Sequence, residues 1–115
     1  MATTTATRWL YPGYVSSLAA TSDIYRLRVT RSGTLQHLYV MQNTPSTSSN
    51  TITYTVEVNG ATTSLSATVA GNVMSGQDAL HTVNVNAGDQ VTIQVTKAAS
   101  VSPAVSQVVV TVELV

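Results

Sequence analysis

The pair Asn59-Gly60 stands between two runs, 51–58 and 61–68, that alternate apolar and polar residues, and it constrains this chain more than any other feature. Asn and Gly take positive φ more readily than other residues, and both central positions of a two-residue type I′ turn require it. Such a turn predicts the pairing: Val58 opposes Ala61, Val56 opposes Thr63, Tyr54 opposes Leu65 and Ile52 opposes Ala67. The larger apolar groups then share one face. The other face carries Thr51, Thr53, Thr55 and Glu57 against Thr68, Ser66, Ser64 and Thr62. A hairpin with one oily side must bury it against a second layer, so the expected class is a sandwich.

The rest of the chain repeats the two-residue period. Trp9, Leu10, Tyr11 and Tyr14 surround Pro12-Gly13, which predicts a short first strand ending at that turn signal. In 24–31, Tyr25, Leu27 and Val29 share one face and Arg26 and Arg28 the other, the pattern of a strand covered on one side. After Ser32-Gly33 comes 34–42, with Leu38 and Val40 on one side and His37, Tyr39 and Met41 on the other; plain alternation adds Leu35 to the second set. Both sides of this strand are apolar. One meets the domain's own core, and the other meets another chain or a second layer of the same domain. Residues 43–50 read as a Ser/Thr/Pro loop, 70–79 as a polar loop and 98–103 as a small-residue loop. His81, Val83 and Val85, the turn Asn86-Ala87-Gly88-Asp89, and Val91, Ile93 and Val95 read as a second hairpin, with Asp89 accepting backbone N–H bonds within the turn. The last run, 105–115, sets Val108, Val110, Val112 and Leu114 on one face and Val109 on the other, and its apolar content predicts a central strand. The expected fold is all-β: an antiparallel jelly-roll sandwich of about eight strands with no helices, formed by residues 8–115 behind an N-terminal arm, 1–7.

The chain has 115 residues, 43% hydrophobic and 9% charged, which suits one domain with an apolar core and little ionic surface. Lys plus Arg and Asp plus Glu number 5 each, so no net field draws the chain to nucleic acid or to an acidic membrane. Arg8, Arg26, Arg28 and Arg31 all precede position 32, whereas Glu57, Asp78, Asp89 and Glu113 follow it. This segregation is either scattered solubilising charge or a weak polarity that helps docking. With no cysteine, neither disulfides nor thiolate metal sites contribute. His37 and His81 have no metal-ligand companion at a useful sequence spacing, the carboxylates lie far apart, and no G-x-S-x-G or phosphate-cradling glycine loop occurs. The expectation is a protein without catalytic residues, metal or cofactor, with no export signal and no membrane segment.

Three stretches resemble a known pattern: Gly33-x-Leu35-x-x-Leu38-x-Val40, Thr53-Tyr54-Thr55-Val56-x-Val58-Asn59-Gly60, and Val83-x-Val85-x-Ala87-Gly88-Asp89-x-Val91-x-Ile93. They are similar to the compact TNF/C1q-like jelly-roll modules of phage surface proteins and of bacterial exosporium collagen-like glycoproteins. The resemblance spans residues 24–115 and implies a homotrimer. In this chain it implies a subunit interface at Leu35, His37, Tyr39, Met41 and Val109. Unlike the exosporium modules, the sequence shows no Gly-X-Y stalk, anchor or signal. The expectation is therefore a capsid decoration, or cement, protein that assembles in the host cytoplasm and sits on the virion surface, bound to a major capsid protein or another virion component. Thr3, Thr4, Thr5, Thr7, Arg8 and Trp9 would form a docking arm, or lie on their own domain as an edge strand. The competing expectation is a receptor- or glycan-binding head of a phage fibre or bacterial surface protein. Aromatic loop tips would favour it, and the loops 43–50 and 70–79 have none.

Overall fold

A computed structural model describes the backbone of residues 7–14, 21–42, 51–97 and 107–115, and the side chains of 26–42, 51–97 and 108–115. Among them are eight strands and no helix: β1 (Thr7–Tyr14), β2 (Thr21–Arg28), β3 (Gly33–Gln42), β4 (Ile52–Val58), β5 (Ala61–Val69), β6 (Ser75–Val85), β7 (Gln90–Lys97) and β8 (Gln107–Leu114). They form two four-stranded antiparallel sheets, β1-β8-β3-β6 and β2-β7-β4-β5. Two interleaved Greek keys of this order make a jelly roll, the expected fold.

The alternation read from the sequence decides the inner layer except at Leu35. Leu35, Leu38, Val40, Val85, Val108, Val110, Val112 and Leu114 from the first sheet meet Ile52, Tyr54, Val56, Leu65, Ala67, Val69, Val91, Ile93 and Val95 from the second, all buried. Val29, just past β2, completes the cluster. Tyr54 is its one aromatic, and its hydroxyl donates to Gln42 Oε1 at 2.7 Å, so the polar tip is satisfied inside the sandwich. As expected, β8 is central, between β1 and β3.

Several local expectations are corrected. The first strand does not end at Pro12-Gly13: β1 runs through both, paired with Val109 and Val108 of β8. It is an edge strand, where a proline removes no necessary ladder bond. The turn Asn59-Gly60 forms, with φ of 52° and 85°, and Val58 opposes Ala61. Beyond Glu57 the register slips, so Tyr54 opposes Ala67 rather than Leu65 and Ile52 opposes Val69. Thr63 fills the irregularity: its hydroxyl donates to the Val56 carbonyl at 2.7 Å and accepts from the Leu65 N–H at 3.3 Å. Because the slip is two residues, each side chain keeps its face. Glu57, expected on the polar surface, is buried, with Gln94 Nε2 donating to Oε2 at 3.4 Å.

The stretch 70–79 is not all loop, since β6 begins at Ser75 and pairs with the C-terminal half of β3. The second hairpin is also corrected. β6 belongs to one sheet and β7 to the other, so Asn86-Ala87-Gly88-Asp89 is a corner between layers. It is tied to the end of β2: Gly88 N–H donates to Val29 O (2.7 Å), and Val29 N–H to Asp89 O (2.8 Å). Asp89 acts as expected, accepting the Asn86 N–H at 2.8 Å, and it also accepts from Asn59 Nδ2 at 3.0 Å. The two turns are thereby locked at one end of the sandwich. These bonds from Asn86 and Asn59 hold the Asp89 carboxyl below its usual range. The loops 43–50 and 98–103 lie outside the described residues.

Candidate functional site

The two outer faces of the sandwich differ in chemistry. On the β2-β7-β4-β5 sheet the outer side is hydroxylated: Thr53 Oγ1 lies 3.4 Å from Thr68 Oγ1 and Thr55 Oγ1 3.3 Å from Ser66 Oγ. On the β1-β8-β3-β6 sheet the outer side carries Tyr39 and Met41, 37% and 48% exposed, beside half-buried Val109. Register brings these together: Met41 pairs with Val109 and Ser75, and Tyr39 with Thr111 and Gln77. In β1, Pro12 pairs with Val109, Leu10 with Thr111 and Arg8 with Glu113. His37, Tyr39, Thr111 and Glu113 line a shallow groove of about 280 Å³ on this face. Gln36 Nε2 donates to Glu113 Oε2 at 3.4 Å at its rim.

A bulge in β3 shapes the face. His37 has φ of 56°, and the pairing of β3 with both neighbours shifts between Gln36 and Leu38 or Tyr39. One extra residue reverses the parity of everything after it. Leu35 and Leu38 therefore both point inward and are fully buried, while Tyr39 and Met41 point out. Of the five residues expected at a subunit interface, His37, Tyr39, Met41 and Val109 share the outer face. Leu35 does not: it belongs to the core, because plain alternation holds only up to the bulge. Of the expected docking arm, Thr7, Arg8 and Trp9 lie in edge strand β1, opposite Leu114, Glu113 and Val112, whereas Thr3, Thr4 and Thr5 lie outside the described residues.

A second cluster, not anticipated from the sequence, sits on β6. Asp78 is buried, and its carboxylate accepts the N–H groups of Ser66 (3.1 Å), Leu80 (3.0 Å) and His81 (3.2 Å), with His81 Nδ1 at 2.8 Å. Burial pushes this carboxyl up, but the three backbone donors and the imidazole outweigh it and hold the pKa at about 2. The cluster pins β6 to β5 and everts the intervening bulge, leaving Leu80 87% exposed. His81 and Asp78 thus pair at i,i+3, a companion that metal-ligand spacing did not suggest. Among the described residues, no group of three or more His, Cys, Asp or Glu is placed to hold a metal ion. No described helix is long and apolar enough to cross a membrane.

No protein-family model matches the chain, and no curated protein matches it. Among solved structures it is similar to a cycloisomaltooligosaccharide glucanotransferase of Paenibacillus sp. complexed with cycloisomaltoheptaose, at 14% identity and a TM-score of 0.44. That alignment covers 91% of this chain and 18% of the other, so the chain spans less than a fifth of that enzyme's length.

Proposed function

We propose that this chain is a homotrimeric, non-enzymatic structural module that decorates a phage capsid, with the outer face of the β1-β8-β3-β6 sheet as its subunit contact. The contrast between the two outer faces carries the reading. Exposed Tyr39 and Met41 cluster beside Val109 on one, while the other presents short hydroxyls. Aromatic residues and Met are enriched at interfaces, and exposed apolar side chains gathered on one face mark a contact surface. Leu80 stands exposed on β6, at the rim of the same sheet. A contact of that edge on a neighbour's face joins different patches, and such a heterologous contact closes into a ring where the rotation between copies divides the full turn. The similarity to TNF/C1q-like modules supports three as the number of copies, and to phage surface proteins supports a station on the virion.

Mixing the purified chain with undecorated phage shells and pelleting them tests the assignment. Saturable co-sedimentation is expected, together with threefold density at capsid symmetry positions in a map of the decorated shell. Shells that pellet bare, with the chain found only at a tail tip, contradict it. Deletion of residues 2–6 is expected to leave a folded trimer that no longer binds shells, and undiminished binding refutes the docking arm.

A further inference from the structure

Two of the exposed arginines lie on one strand at the end of a sheet. Arg26 and Arg28 lie two residues apart on β2, both exposed, and with Leu27 and Gln90 they line a groove of about 230 Å³. Gln90 is the pairing partner of Arg28, so this groove reaches the β7 side of β2. In the sheet order β2 is terminal, and among the described residues it pairs on one side only, with β7. Neither guanidinium has a hydrogen bond or ion pair with a described residue. The nearby acids with described side chains are otherwise engaged or set apart. Asp89 accepts from Asn86 and Asn59, and Glu57 is buried beyond Thr92 in the pairing row Arg26, Thr92, Glu57; Asp23, opposite Gln94, falls on the same face as Arg26 opposite Thr92, and its side chain is outside the described ones. Two like charges are therefore held side by side with no described side chain to neutralise them.

From this we infer that the β2 edge binds an extended acidic segment of a partner protein, added as a further strand with carboxylates at alternate positions. Side chains at i and i+2 of a strand share a face, so two carboxylates spaced in the same way meet Arg26 and Arg28 directly. Main-chain bonds to the open edge supply affinity, and the paired arginines supply selection. A second copy of this chain does not fit. Antiparallel pairing of two β2 strands about Leu27 sets Arg26 against Arg28 twice, a like-charge contact of the kind that keeps edges from self-association. The same arginines that repel an identical edge attract an acidic one.

The full chain is titrated at low salt with two peptides of identical composition, one with glutamate at every second position and one with its glutamates contiguous. The alternating peptide is expected to bind, with affinity falling steeply as salt rises. The double variant Arg26→Gln/Arg28→Gln is expected to bind it roughly twofold to thirtyfold more weakly, the combined effect of two cross-strand charge pairs. Both substitutions are at exposed positions, and an unchanged circular dichroism spectrum verifies the fold. Equal binding of the two peptides, or displacement of the alternating one by an equal charge of sulfated polysaccharide, overturns the strand-addition geometry. If neither peptide binds, the arginines serve only to guard the edge and the inference fails.

Discussion

Asp78 shows how one buried carboxylate can organise an edge. Its four donors come from β5 and from its own bulge, so removing it strands the Ser66, Leu80 and His81 amides together. Asp78→Ala is expected to lower stability by about 2–4 kcal/mol, since several charge-assisted bonds are lost at once; urea unfolding at neutral pH measures it. The pH dependence has a definite sign. The carboxyl titrates at about 2 in the fold against 3.8 when unperturbed. Its stabilisation is therefore complete above pH 4 and disappears as pH falls through 2. The urea midpoint of the native chain should drop across that window more than that of the Asp78→Ala variant. Gly76 answers to sterics instead: a Cβ there would collide with the Thr68 carbonyl, its carbon only 2.8 Å away. Gly76→Ala is expected to destabilise by about 1–3 kcal/mol in the same assay. Asp89 was legible because its partner Asn86 lies three residues away in the same turn. Asp78 was not, because Ser66, twelve residues earlier, reaches it only after β6 has crossed to the opposite sheet.

Among the elements, β3 carries the largest gap between pattern and structure. Alternation identified the strand and the outward side of its C-terminal half, yet it put Leu35 on the wrong side because a bulge resets parity without any apolar signature. His37 occupies the positive-φ position of that bulge. Replacing it with valine, which tolerates this region poorly, is expected to cost about 1–2 kcal/mol, whereas glycine should be neutral or stabilising by up to about 1 kcal/mol. Equal effects of the two substitutions would show that backbone conformation does not set the cost. The β4–β5 hairpin was legible through its turn and its faces, but its two-residue slip was not, since that slip exchanges partners within a face. The corner 86–89 misled for another reason. A four-residue Gly-Asp turn serves a hairpin or a passage between layers equally well, and the choice is made by β3, which captures β6 as its neighbour.

Across the whole molecule, burial is nearly complete on the inner faces and the outer faces divide the remaining work. Fold class, the central place of β8 and the outward orientation of Tyr39, Met41 and Val109 followed from periodicity alone. The Leu80 edge and the place of Arg26 and Arg28 on a terminal strand did not, because both depend on which strands end a sheet. If the Tyr39, Met41 and Val109 face joins subunits, placing charge there must separate them without unfolding the sandwich, since none of the three belongs to the core cluster. Sedimentation equilibrium of the native chain beside the Tyr39→Glu/Met41→Glu variant measures this most directly. The native chain should sediment at three times its 12.1 kDa mass and the variant at the monomer mass with an intact β spectrum. A native chain that is monomeric across the micromolar range, or a variant that stays trimeric, would contradict the account.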